Sequence, residues 1–361
     1  MPQRPKSSAV GKIKTRNAIY PILIGLAVVA WMFYRDFDPA VFNDISFSWD
    51  TLFWVFVAFL CMFGRDLGYI IRIKVFSDGQ LTWAQAFRVI MLWEFTSAIT
   101  PSAVGGTSVA IIYIHKEGIS VGKSSAMVML TSFFDELYFV VMFPLMLLAV
   151  GRAQLFDLSE MTESVLSMSL MTIAVVGYVL KLAWTLILSY GLFINPRGLK
   201  WLLLKIFKLK PLRRWYRSIN NVGTDIILSS RELKTKGVGF WLKSVLSTFL
   251  SWSSRYLVAN ALIMAFFGYT DQLLLFARQL VMWIMMLVMP TPGGSGFAEY
   301  IFTHFLGDLM PVAPELQVAA GTLVAVVWRL VTYYPYLIIG AVLFPRWLNK
   351  HFSHRAFGKK A

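Results

Sequence analysis

Apolar residues run in long blocks along this chain, and the polar residues gather in the gaps between them. Six blocks, at about Ala18–Tyr34, Trp49–Ile73, Ser124–Val150, Val165–Tyr190, Phe240–Phe267 and Pro314–Phe344, suit the ~20 residues that cross a hydrocarbon core. Each is expected to be a transmembrane helix. Two further blocks, Trp83–Ile114 and Leu273–Val312, are interrupted. The first is broken at Thr100 to Gly106, the second at Pro290 to Gly296. Prolines there remove backbone donors and glycines loosen the helix. Such a break survives in lipid only where it is buried in protein or lines a wet cavity.

The two interruptions resemble each other. Gly105-Gly106-Thr107-Ser108-Val109-Ala110 and Gly293-Gly294-Ser295-Gly296-Phe297-Ala298 share Gly-Gly, a hydroxyl residue, any residue, an apolar residue and Ala. Loop charge then assigns sides. The N-terminus and the exit of the second helix are basic, and the loops holding Asp36 to Asp50 and Asp157 to Glu163 are acidic. With positive loops inside, the segment 83–114 must leave from and return to the cytoplasmic face. By the same count 273–312 leaves from and returns to the outside. The expected fold is an all-α polytopic membrane protein with about six transmembrane helices and two re-entrant helical hairpins in an inverted repeat. It forms a single membrane domain over 1–361: repeat 1 at about 49–150, a basic cytoplasmic segment at 195–237, and repeat 2 at about 239–345. Both termini are expected in the cytoplasm, with the protein in the cell's inner (cytoplasmic) membrane.

Composition agrees. Of 361 residues 57% are hydrophobic, and the mean hydropathy of +0.63 belongs to an integral membrane protein. The net charge of +15 would suggest nucleic acid in a soluble protein; here it follows from the positive-inside bias, and no nucleic-acid partner is expected. The lone Cys61 rules out an intrachain disulfide or a thiolate cluster. The first apolar run lacks a small-residue cleavage site and reads as a retained helix. Within 195–237, Trp201, Leu202, Leu203, Ile206 and Phe207 interleave with lysines, which suits either an amphipathic helix on an anionic leaflet or a solvated loop.

Ionisable groups within membrane helices are candidates for function. Arg65 and Asp66 lie two-thirds along the second helix, and Arg255 lies at matching depth in the fifth, accompanied by Tyr69 and Tyr256. A guanidinium fork matches phosphate oxygens, so symmetric arginines suit a phosphate-bearing ligand. Alternatively Arg65 pairs with Asp66, or each arginine snorkels to an interface. Asp135 and Glu136 sit mid-helix, with Arg329 at the equivalent place in the second repeat. An ion pair between them would leave one carboxylate over. Glu94 and Arg278 lie in the first arms of the hairpins, and Glu299 follows the second break, where it suits a helix N-terminus. Thr107, Ser108 and Ser295 could join free amides in an anion pocket, or bond back to helix carbonyls. Four histidines without ligand spacing make a metal site unexpected, and no P-loop, nucleophile elbow or dinucleotide fingerprint occurs. Neither cofactor nor catalytic residue is expected.

Thr100-Pro101, Gly105-Gly106, Tyr113 with Lys116-Glu117-Gly118-Ile119-Ser120, Pro290, Gly293-Gly294-Ser295-Gly296, Glu299, and Trp328-Arg329-Leu330-Val331-Thr332-Tyr333-Tyr334-Pro335 together resemble the lysylphosphatidylglycerol synthase transmembrane region, a flippase-like family. The resemblance covers most of the chain. It implies a membrane domain that moves lipids between leaflets, and adds Tyr333 to the candidate residues. In such families the domain is often fused to a soluble aminoacyl transferase, which is not expected on this chain. Many members carry Glu-Arg followed by Asp where this sequence reads Phe133-Phe134-Asp135-Glu136, so their headgroup preference does not transfer. The leading expectation is a lipid flippase that is not itself an enzyme. Its substrate would meet Arg65, Arg255, Arg329, Asp135, Glu136, Glu94 and Glu299 between tips formed by Gly105, Gly106, Thr107, Pro290, Gly293, Gly294 and Ser295. Its partners would be membrane lipids with anionic phospholipid headgroups, with a homo-oligomer left open. The alternatives are an ion-coupled transporter of a small polar or anionic solute, an intramembrane transferase using Asp135 or Glu136 as base, and a scaffold recruiting partners through 195–237.

Overall fold

The computed structural model describes residues 34, 40–41, 48–100, 102–156, 164–210, 213, 216–286 and 297–352. Every regular element among them is helical. The expected first helix, apart from Tyr34, lies outside the described residues, as does the acidic loop at 157–163.

Helix α1 (Trp49–Phe76) starts at a capping box in which Ser48 and Thr51 each bond the other's backbone N–H. Helices α2 (Trp83–Ile99) and α3 (Ser102–Lys116) follow. They pack antiparallel: Gln85 donates to the Glu117 carbonyl at 3.3 Å, Arg88 pairs with Glu117 at 3.3 Å, and the Thr96 and Tyr113 hydroxyls meet at 2.6 Å. The turn is shorter than the expected break at Thr100 to Gly106 and lies at its start. Thr100, ahead of Pro101, is extended (φ −109°, ψ 141°), as a residue before proline prefers, and helix resumes at Ser102. Gly105 and Gly106 are therefore helical and do not form the break. Gly106 instead allows close approach: a Cβ there would lie 2.0 Å from Ser97 Oγ.

Helix α4 (Val121–Val150) is capped by Ser120 and ended by Gly151 at φ +86°, a left-handed value that suits glycine. The short α5 (Arg152–Phe156) follows, then α6 (Ser164–Ser189), which runs into a π-turn at Tyr190–Ile194. The basic segment folds as two helices, α7 (Pro196–Ile206) and α8 (Tyr216–Lys234). It is anchored where Ser230 donates to the Leu192 carbonyl at 2.6 Å, with Ile226 and Leu233 buried; Trp201 and Leu202 of α7 stay exposed.

Helix α9 (Val238–Phe267) lies antiparallel against α1. Gly64 faces Ser254, and a Cβ on Gly68 would lie 2.3 Å from Ser251 Oγ and 2.7 Å from the Ser247 carbonyl oxygen. The hydroxyls of Ser244, Thr248 and Ser251 bond back to carbonyls of their own helix, so a polar stripe is buried without orphaned donors. That stripe lowers the hydropathy of α9. Among the described residues, four other stretches are long and apolar enough to cross a membrane: Trp49–Phe76, Val121–Val150, Met171–Ile194 and Pro314–His351. At 1.5 Å per residue, α9 extends about 45 Å and is long enough to cross as well.

Helices α10 (Gln272–Met286) and α11 (Phe297–Leu306) form a second antiparallel pair, joined where Arg278 donates to the Phe305 carbonyl at 3.1 Å and holds Asp308 at 2.6 and 2.7 Å. Its connection, with Pro290, Gly293, Gly294 and Ser295, lies outside the described residues. The two pairs open at opposite ends of α4. Asp78, at the base of the first, bonds Lys123 at the start of α4 (2.8 Å) and Lys236 ahead of α9. At the base of the second, Arg278 reaches the Gln154 carbonyl at 3.0 Å, just past the end of α4.

The last expected helix, Pro314–Phe344, is not continuous. It is α12 (Gln317–Thr332) and α13 (Tyr334–Phe352), interrupted at Tyr333 (φ −121°, ψ −55°) ahead of Pro335, which lacks the donor that would continue the ladder. The halves serve different neighbours. A Cβ on Gly321 of α12 would sit 2.8 Å from the Thr303 carbonyl oxygen of α11, and one on Gly340 of α13 would sit 2.1 Å from Phe95 of α2. One interrupted helix therefore touches both hairpins.

Candidate functional site

The charged residues converge on the α1–α9 seam at mid-helix depth. Arg65, Tyr69 and Arg72 follow each other at four and three residues along α1, which places them on one face. Arg65 is 2% exposed and holds two carboxylates, Asp66 at 2.8 Å and Glu94 of α2 at 2.6 Å. It also donates to the Tyr336 hydroxyl of α13 at 2.5 Å, which donates in turn to Asp66 at 2.7 Å. The Tyr69 ring lies between the guanidinium groups of Arg65 (5.1 Å) and Arg72 (4.9 Å). Arg72 bonds Asp135 of α4 at 2.6 Å and Thr248 of α9 at 3.0 Å, and the Trp252 indole N–H donates to the same Asp135 oxygen at 2.7 Å.

Arg255 lies at the same level of the seam as Arg65, since Gly64 touches Ser254. Its guanidinium lies 4.9 Å from the rings of both Trp252 and Trp283 of α10. It is half-buried, has no carboxylate within 4.0 Å among the described residues, and its buried Nε has no hydrogen-bond partner. It remains within electrostatic reach of Asp66 and Glu94. Although mid-helix, the side chains of Asp66, Glu94 and Asp135 keep 22%, 24% and 22% of their surface accessible, against 3% and 2% for Arg65 and Arg72 behind them.

Two further pairs complete this belt. Glu136 takes Lys181 of α6 at 2.8 Å. Glu299 of α11 takes Arg329 of α12 at 2.7 Å, with both side chains buried, and the Arg329 guanidinium lies 5.0 Å from the Tyr333 ring. The expected pair of Asp135 or Glu136 with Arg329 does not form. All three find other partners, and no carboxylate of that set is left over, because α4 turns its acids toward α1 and α6. Arg65 does pair with Asp66, yet it also gathers Glu94, and the arginines point into the protein rather than snorkelling. Thr107 is half-buried, and the side chain of Ser108 lies outside the described set.

Sequence reasoning missed Arg72, Lys181, Tyr336, Trp252 and Trp283. The spacing of Arg65, Tyr69 and Arg72 could have revealed Arg72, which loop charge alone assigns to the basic helix exit. The others are brought in by tertiary packing and carry no local signal.

These features define a helical membrane protein with two antiparallel helix pairs opening at opposite ends and a mid-depth belt of ion pairs. The chain belongs to the lysylphosphatidylglycerol synthase TM region family, matched over residues 18–340. It is 27% identical over 338 residues to a UPF0104 membrane protein of Archaeoglobus fulgidus, covering 89% of this chain and 94% of that one. No solved structure matches.

Proposed function

We propose that the protein translocates a phosphate-bearing lipid headgroup between leaflets, with Arg255 as the group that receives the phosphate. One observation carries this: a mid-helix guanidinium packed beside two tryptophan rings that meet edge to face, and lacking the carboxylate every neighbouring cation has. A guanidinium so placed matches phosphate oxygens, and the indole rings offer apolar walls to glycerol and the first acyl carbons. The family name, with its reference to lysylphosphatidylglycerol synthesis, supports a lipid substrate. The two helix pairs act as re-entrant hairpins. At 17 and 15 residues, α2 and α3 extend only about 25 and 22 Å, short of a ~30 Å core. The basic end bearing α7 and α8 faces the cytoplasm, together with the termini, in the inner membrane. Rocking of one repeat against the other exposes the site alternately.

The test is headgroup accessibility in proteoliposomes carrying fluorescently labelled phosphatidylglycerol. Wild type should expose inner-leaflet label to an impermeant quencher, and Arg255→Gln should slow this at least tenfold while folding is retained. Equal rates in the two proteins would contradict the assignment.

A further inference from the structure

The charges of the belt do not match its contacts. Arg72 has Asp135, Lys181 has Glu136 and Arg329 has Glu299, each in a direct bond. The remaining members are Arg65, Arg255, Asp66 and Glu94. They are neutral as a set, yet both carboxylates sit on Arg65 and neither touches Arg255. One carboxylate is therefore surplus by contact, and it offsets Arg255 only through space. An anion on Arg255 removes that offset and leaves the set with one excess negative charge at mid-helix depth. An unbalanced charge in such a setting is relieved by protonation.

We infer that binding of a phosphodiester anion at Arg255 is coupled to uptake of a proton by the Asp66–Glu94 pair. This rests on Arg255 as the phosphate site and adds a source of driving force: a proton gradient would then bias translocation. The bookkeeping is simple. One anion and one proton enter together, no covalent bond forms or breaks, and the set stays neutral. The groups facing the pair are consistent with this. From its own helix Asp66 meets Arg65, from α13 the Tyr336 hydroxyl, from α2 Glu94 and from α9 Arg255; Glu94 meets Arg65 directly, with Tyr69 and Arg72 of α1 and Arg255 of α9 within electrostatic reach. Both carboxylates also keep surface accessible, so water can deliver the proton. Since two acids share one guanidinium, they titrate as a pair.

The experiment is calorimetry on the purified full-length protein in detergent, near pH 7, in two buffers of different ionisation enthalpy. The probes are phosphatidylglycerol with six-carbon chains and glycerophosphoglycerol, the same diester without chains. Wild type should take up about one proton per bound diester. Asp66→Asn removes the surplus charge, so uptake should fall to near zero while affinity rises. Glu94→Gln should do the same, and guards against one variant failing to fold. Binding with no proton exchange in wild type, or unchanged uptake in both variants, overturns the coupling and leaves the phosphate site standing. If glycerophosphoglycerol binds with proton uptake and the lipid does not, the coupling is supported and the lipid substrate is overturned. If neither probe binds, both the site and the coupling are overturned.

Discussion

Arg329 and Glu299 form a pair that is almost closed to solvent, and such pairs are asymmetric in energy. Losing one partner strands a buried charge and costs about 3–5 kcal/mol, whereas removing both can be nearly neutral. Arg329→Met should therefore lower the denaturant midpoint sharply, and Arg329→Met with Glu299→Gln should recover most of the loss. If the double variant is as unstable as the single, the bond at 2.7 Å is not what stabilises this corner. At this scale the sequence was half legible. The rarity of charge in apolar runs singled out Arg65, Asp135, Glu136, Arg255 and Arg329 correctly as buried or half-buried groups. Their partners were not legible, because pairing depends on how each helix is rotated about its axis. Asp135 and Glu136 are neighbours in sequence yet bond to different helices.

The seam between α1 and α9 shows what small residues do between helices. Hydrophobic burial gives little drive between helices in lipid, so close backbone approach and satisfied hydroxyls must hold the pair. Gly68→Ala would push a Cβ into Ser251 Oγ and the Ser247 carbonyl oxygen. Overpacking of this kind costs about 1–3 kcal/mol, to be read as a lowered thermal midpoint in detergent. Gly79→Ala, where space is open but φ is +74°, separates crowding from backbone strain, and its loss should be smaller. The long helices were legible to within a few residues, since run length and caps such as Ser48 and Thr82 are local signals. The breaks were less so. Gly105 and Gly106 suit a turn but are helical, because the chain turns at Thr100 and helix resumes at Ser102; the interruption at Tyr333 is hidden in the sequence because Pro335 lies within a continuous apolar run.

Across the whole molecule, the ends of the bundle differ. Asp78 gathers the first hairpin, α4 and the approach to α9 through Lys123 and Lys236. Burial alone would raise its carboxyl, but the hydrogen bonds from the two lysines outweigh that and hold it below the ordinary aspartate range. Since the folded value is the lower one, this contribution is complete above the unfolded value of about 3.9 and is lost as pH falls through the folded one. Asp78→Asn should accordingly be less stable than wild type at neutral pH, with the gap closing on acidification; a gap independent of pH would contradict this. The order of elements, with a helix pair after α1 and another after α9, was legible from the interrupted apolar runs. The ion pairs that fill the space between were not, since their partners come from helices far apart in the sequence. The account depends most on the hairpins entering from opposite faces. In a Cys61→Ser background, single cysteines at the exposed positions Gln80 and Tyr269 should be labelled by an impermeant maleimide from opposite sides of oriented vesicles, Gln80→Cys from the cytoplasmic side only and Tyr269→Cys from the outside only. Labelling of both from the same side would contradict the account.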